Sequence, residues 1–230
     1  MSGSKIEILA YEPSPLGTLC LRRRELLSRP GTIVTEVTLN HEFLMSSLYT
    51  DSEQALARIA IEMHGGSDLS ILIGGLGLGY TAREALKSDC AGQVEVVEFL
   101  PQVIDWLSQG LVPLSEELLA ESRLSVVRGD IYQRLAEPPS QRFDVILVDV
   151  DHSPDERLGE ESVAFYTAEG LRCARQHLAD DGVLAVWSYA QSSPFADALH
   201  ATFDEVRIEP VSYDNQLIDE EQTDWLFFGR

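Results

Sequence analysis

The sequence predicts an α/β fold: a seven-stranded, Rossmann-like sheet with its last strand reversed, preceded by a small N-terminal antiparallel β-unit. Three observations carry this. From about residue 69 onward, short apolar runs alternate with helical patterns, the signature of a parallel sheet covered by helices on both faces. The chain then ends in two strand patterns with no helix between them, so the last runs antiparallel to its predecessor. The first 48 residues instead alternate with period two between turn signals. The expected division is therefore 1–48 and 49–230.

The elements follow in order. KIEILAY, TLCLRRREL and TIVTEVTLNHEFLMSS read as two to four strands, separated by the turn signals EPSPLG and SRPG. The basic run Arg22-Arg23-Arg24 reads as a solvated strand edge. Thr50 and Glu53 make a capping box for a helix whose Ala55, Leu56, Ile59, Ala60 and Met63 share one face. Next come ILI with TAREALK, then QVEVVEF with PQVIDWLSQ and Gly110 as a stop. LSVVRGD with IYQRLAE is followed by FDVILVDV, a loop, and a helix over AFYTAEGLRCARQHL. GVLAVWSY pairs with the helix SPFADALHATF. The unbroken apolar run in DVILVDV marks a central parallel strand. EVRIEPVSYD and TDWLFFGR close the chain around the acidic loop NQLIDEEQ.

Bulk composition narrows the function. A chain of 230 residues holds one large domain or one with a small appendage. Seventeen Lys plus Arg face 38 Asp plus Glu, a net charge of −21, which repels nucleic acid and anionic membranes and favours a cationic partner. Cys20, Cys90 and Cys173 form no paired motif, consistent with a reducing cytoplasm. No apolar run has the length of a membrane span. The five histidines are scattered without ligand spacing, so no metal site is expected.

In an open α/β sheet the ligand sits beyond the carboxyl ends of the strands. Those ends agree with one another here. The first carries Gly74-Gly75-Leu76-Gly77-Leu78-Gly79 before a helix, and glycines there let the backbone turn sharply and approach a ligand closely. The second ends in Glu98, placed to accept from ribose hydroxyls. The third ends in Gly129-Asp130, where Asp130 can accept from an adenine amino group. The fourth ends in Asp149-Val150-Asp151-His152, facing whatever lies beyond the nucleoside. A dinucleotide fingerprint fits the glycine spacing poorly, and a phosphate loop fails for want of Gly-Lys-Ser/Thr.

IGGLGLGYTAREALK is similar to a family motif IGGGDGGTLREVLKH, and FDVILVDVDHSPD to YDVIIVDSSDP. VEVVEFLPQVIDW, RLSVVRGDIYQRL and FYTAEGLRCARQHLADDGVLAVWS match the same family's ribose, adenine and following helix–strand stretches. Over residues 70–190 the chain thus resembles spermidine synthase, the aminopropyltransferase branch of the S-adenosylmethionine (SAM) dependent methyltransferase fold. The resemblance implies SAM or decarboxylated SAM as cofactor, held by Gly75, Gly77, Leu78, Gly79, Glu98, Asp130, Ile131 and Asp149. It also implies a homodimer.

Two departures bear on the reaction. Leu78 stands where that family carries an Asp gripping the ammonium end of decarboxylated SAM, and a charge-assisted bond of that kind contributes about 1.5–3 kcal/mol. His152 stands where a second Asp orients and deprotonates the amine. The reading is therefore methyl transfer from SAM to a small, cationic acceptor, with Asp149, Asp151 and His152 orienting and deprotonating it. The alternatives are aminopropyl transfer from decarboxylated SAM to a polyamine, and a non-catalytic nucleoside-binding protein. Trp187, Tyr189 and Tyr213 read as core more readily than as an acceptor wall, and Tyr166 as either.

Overall fold

The computed structural model describes residues 6–150, 152–155, 163–215 and 220–230. Four strands open it: β1 (Ile6–Ser14), β2 (Gly17–Glu25), β3 (Ile33–Leu39) and β4 (Glu42–Ser46), paired in sequence as an antiparallel meander. The β3–β4 hairpin turns on Asn40 and His41, both at positive φ (51° and 73°), the left-handed geometry that matches the twist of the flanking strands.

β2 lies inside this sheet, so the three arginines are not a solvated edge. Arg22 and Arg24 close on Glu36 of β3 (Nε–Oε2 3.1 Å and Nε–Oε1 2.8 Å), and Glu36 is only 4% exposed. Burial pushes the Glu36 carboxyl up, but the Arg24 and Arg22 guanidiniums outweigh it and hold the group below its ordinary value. Arg23 Nη2 reaches the Leu111 carbonyl at 2.9 Å.

The larger sheet is built from α1 (Asp51–His64), β5 (Leu69–Gly74), α2 (Tyr80–Lys87), β6 (Ala91–Glu98), α3 (Pro101–Ser108), α4 (Ser115–Ala120), β7 (Leu124–Arg128), α5 (Ile131–Ala136), β8 (Phe143–Val148), α6 (Ala168–Arg175), β9 (Leu178–Ser188), α7 (Ser193–His200), β10 (Val206–Asn215) and β11 (Glu220–Gly229). Its order is β10-β11-β9-β8-β5-β6-β7. The five strands β5 to β9 are mutually parallel, and β11 runs antiparallel to both β9 and β10. The predicted α/β sheet with a reversed last strand is therefore observed, with the antiparallel unit before it.

Alternation along the central strands splits the core in two. Ile71, Ile73, Val145 and Leu147 face α1 and α2, whereas Leu72, Ile146 and Val148 face α5 and α6. The two units meet along α3. Trp106 Nε1 donates to Glu12 Oε1 (3.1 Å), and Gln102 Nε2 donates to the Pro13 carbonyl (2.7 Å).

Local expectations needed four corrections. Thr50 makes no side-chain cap to α1; its Oγ1 instead accepts from Gln54 Nε2 at 2.9 Å, and Glu53 turns inward. The helix expected over 164–178 is shorter, because Thr167 caps it by accepting from Gly170 N (3.1 Å) and Leu178 already begins β9. SEELLA forms α4, which the pattern did not reveal. β10 and β11 also extend into the loop expected between them, pairing as far as Asn215 with Glu220.

Candidate active site

Sheet order reverses at β5, which pairs with β6 on one side and β8 on the other, so a crevice opens above the ends of these strands. The backbone there is drawn unusually tight. Gly75 sits at φ 92°, and a Cβ on it would lie 2.2 Å from the Asp149 carbonyl oxygen. Gly79, the N-cap of α2, sits at φ 91°, and its Cβ would meet Leu118 Cδ1 at 2.4 Å. No side chain fits at either position, and the first turn of α2 borders the opening.

Glu98 anchors this loop. Its Oε2 accepts from Leu76 N (2.8 Å) and its Oε1 from Leu100 N (2.7 Å), at 6% exposure. Burial pushes its carboxyl up, against the pull of the surrounding backbone N–H groups. A carboxylate has about four acceptor positions. The backbone amides of Leu76, Gly77, Phe99 and Leu100 all act on these, and Glu98 borders the cavity. Asp130 Oδ1 caps α5 by accepting from Tyr132 N (2.8 Å) and Gln133 N (3.3 Å), and the residue lines the same opening.

That opening is a cavity of about 800 Å³, within the range of small-molecule sites. Every residue expected to bind the cofactor borders it, as do Asp149 and His152. Asp151 lies outside the described residues. Leu78 does so as an apolar wall: it is 5% exposed and belongs to the core cluster beneath the loop. Trp187, Tyr189 and Tyr213 are also on the cavity wall, which corrects the expectation of core packing for Tyr189 and Tyr213, while Trp187 packs against the core as well. Tyr166 is core, its hydroxyl 3.0 Å from that of Tyr132.

One end of the cavity is acidic. Asp149, beyond β8, accepts from Thr81 Oγ1 at 2.7 Å. Ser52 Oγ donates to Asp224 Oδ2 of β11 (2.6 Å), accepts from Trp187 Nε1 (3.0 Å) and lies 3.2 Å from Glu53 Oε2. Burial, with Asp149 and Asp224 nearby, pushes the Glu53 carboxyl up to about 8. Burial likewise raises Asp149 to about 6, with Asp224 adding to it, and raises Asp224 itself. Tyr213, stacked on Tyr49 with ring centroids 4.9 Å apart, is pushed up to about 12 by burial and by the nearby Asp224 and Glu53. His152 meets Tyr189 edge-on at 6.4 Å.

Sequence reasoning missed Ser52, Glu53 and Asp224. Glu53 was taken into the capping box. Asp224 did leave a signal, since it is the acid two residues before Leu226 on the strand face that carries Leu226 and Phe228.

A glycine loop, an acidic second-strand end and a reversed last strand define a Rossmann-like domain with the spermidine synthase type of methyltransferase fold. Residues 51–204 match the spermine/spermidine synthase domain, and the chain belongs to that family. It is 33% identical over 138 residues to a polyamine aminopropyltransferase of Oceanobacillus iheyensis, covering 59% of this chain and 26% of that one. It is 35% identical over 124 residues to polyamine aminopropyltransferase 2 of Streptomyces coelicolor, covering 53% and 22%. The chain thus matches about a quarter of these relatives' length. A crystal structure of spermidine synthase in complex with the transition-state analogue AdoDATO superposes with TM-score 0.72 at 17% identity, over 96% of this chain and 73% of that one.

Proposed function

We propose that the protein is an aminopropyltransferase acting on a polyamine or similar cationic amine, with decarboxylated SAM as donor. The observation that carries this is the acidic end of the cavity. Glu53, Asp149 and Asp224 border the cavity together, burial pushes all three carboxyls up, and Asp149 and Asp224 add to the rise at Glu53. Desolvated carboxylates without a counter-charge raise one another's pKa, and a bound ammonium group reverses that. The family membership and the activity of the aminopropyltransferase relatives support the same reading.

On this reading, the glycine loop, Glu98 and Asp130 hold the adenosyl portion. The acceptor nitrogen attacks the propyl carbon next to sulfur, the C–S bond breaks, and methylthioadenosine leaves. Asp149 and His152 stand where they can orient the amine and take its proton. Positioning supplies most of the rate in such a displacement. The protein would act in the cytoplasm as a homodimer, with residues 1–48 as a separate small unit. Among the described residues no helix is long and apolar enough to cross a membrane.

Leu78 favours a second reading, methyl transfer from SAM, because the loop offers no carboxylate to an aminopropyl ammonium. Initial rates of methylthioadenosine release with decarboxylated SAM, against S-adenosylhomocysteine release with SAM, separate the two across one amine panel. Aminopropyl transfer predicts the first product only.

A further inference from the structure

A group that takes a proton during a displacement must be aimed as well as basic, and the two candidates at this cavity differ in how they are aimed. The His152 ring is placed by an edge-on contact with Tyr189, which fixes neither of its nitrogens. Asp149 is held from two sides. Its backbone N–H donates to the Gly74 carbonyl (2.9 Å), and the tight turn at Gly75 closes on its carbonyl oxygen. Its carboxyl is held separately, by Thr81 Oγ1 on Oδ2 at 2.7 Å.

Thr81 is itself rigidly placed. It is the second residue of α2, whose start is pinned by Gly79 N donating to the Leu76 carbonyl (2.9 Å), and Leu76 N in turn rests on Glu98. A threonine hydroxyl inside a helix often bonds a carbonyl one turn back. One turn before Thr81 lies the glycine loop, outside the helix, and the hydroxyl crosses to the end of β8 instead. Thr81 is only 4% exposed, so water has little access to that bond.

A hydroxyl has one hydrogen to give and an ionised carboxylate only accepts, so this bond is made to the basic form of Asp149. It occupies Oδ2 and leaves Oδ1 for a ligand in the cavity that Asp149 borders. The titratable groups sharing that cavity with Asp149 are Glu53 on α1, Glu98 on β6, Asp224 on β11, the phenols of Tyr80 on α2 and Tyr213 on β10, and His152. Burial and Asp224 push the Asp149 carboxyl up, to about 6, and Thr81 pulls against them. Thr81 thus favours the ionised form that a base requires.

We infer that Thr81 is a positioning residue for the transfer: its hydroxyl, presented by the first turn of α2, holds the Asp149 carboxylate by Oδ2 so that Oδ1 faces the acceptor nitrogen. As the nitrogen lone pair forms the new N–C bond, the C–S pair stays with sulfur and the proton on nitrogen passes to Oδ1. This rests on the transferase reading above and adds to it the residue that aims the base.

The test is the pH profile of kcat/KM for the intact protein with decarboxylated SAM and 1,4-diaminobutane, in wild type, Thr81→Val and Thr81→Ser. Valine keeps the shape and removes the hydroxyl hydrogen, whereas serine keeps it. Thr81→Val should move the acidic limb up by about one pH unit, as loss of a hydrogen bond to a charged group implies. Above the limb, kcat should fall by about tenfold or more with little change in KM for the diamine, because the carboxylate is misaimed rather than lost. Thr81→Ser should recover most of both effects. Should Thr81→Val fail to fold, Thr81→Ala removes the same hydrogen and gives the same readout. A folded variant with the wild-type limb and kcat overturns the inference and leaves the transferase reading standing, as does a loss that is equal at every pH and that serine does not recover. A wild type that transfers nothing to the diamine from either decarboxylated SAM or SAM overturns both.

Discussion

Ser52 Oγ stands 2.6 Å from Asp224 Oδ2, tying the first turn of α1 to the reversed strand β11 across 172 positions of sequence. The contact exists because β11 is inserted antiparallel between β9 and β10. Asp224 thereby shares a face with Leu226 and Phe228, which pack in the same core cluster as the buried side of α1. The topology of the last two strands thus supplies part of the site.

The proton held by Glu53 should be visible in stability. Its folded-state pKa is raised from 4.5 to about 8, so between those values the folded protein binds a proton that the unfolded chain releases. Stability contributed by this group is therefore present at low pH and lost as pH rises through the window. Its slope is at most about 1.4 kcal/mol per pH unit, the one-proton limit. Denaturant melts from pH 5 to 8 should fall more steeply for wild type than for Glu53→Gln. Equal slopes contradict the assignment.

Glu98→Ala removes the acceptor for both Leu76 N and Leu100 N. Each orphaned buried amide costs about 1–3 kcal/mol, so urea melts should show a loss of that order or somewhat more. Affinity for SAM, decarboxylated SAM and methylthioadenosine should drop together, because the adenosyl portion is common to all. A loss confined to one ligand would place the ribose elsewhere.

Leu78→Asp puts a carboxylate on the glycine loop, facing the donor's chain. Calorimetry should show the affinity ratio of decarboxylated SAM to SAM rising by about tenfold, as one added charge-assisted contact implies. The protein should also lose about 1–3 kcal/mol, because the position is only 5% exposed. An unchanged ratio removes Leu78 from the donor-selecting wall.

The Arg22–Glu36–Arg24 cluster should respond asymmetrically. Replacing both arginines with alanine strands a carboxylate that is 4% exposed, at a cost of about 3–5 kcal/mol. Glu36→Ala leaves two longer side chains that reach solvent, so it should cost about 1–2 kcal/mol. Urea melts that reverse this order would show that Glu36 does not depend on the arginines.

Most of the frame is legible in the sequence because it rests on local periodicity. The apolar β5 and β8 runs, the helix patterns between strands and the missing crossover before β11 each follow from residues close in sequence. The position of Glu98 and Asp130 beside the cavity is legible for the same reason, since both follow strands whose ends converge. The acidic end of the cavity was harder to see. Thr50-x-x-Glu53 has the spacing of a cap, and nothing local distinguishes a glutamate folding back on its helix from one turned toward a cavity. Asp224 gains its meaning only when β11 lies over α1, a contact between distant segments. The aromatics of β9 and β10 were misread similarly, since Trp187 and Tyr213 look like core until the cavity beside them is known.

The central claim is that this family member transfers an aminopropyl group to a cationic amine. Mass spectrometry of the acceptor after a single turnover with decarboxylated SAM and 1,4-diaminobutane tests it most directly. The account predicts a diamine heavier by one aminopropyl unit, released with methylthioadenosine, and no methylated product when SAM replaces the donor. A methylated acceptor from SAM, with the diamine unaltered by decarboxylated SAM, would contradict it.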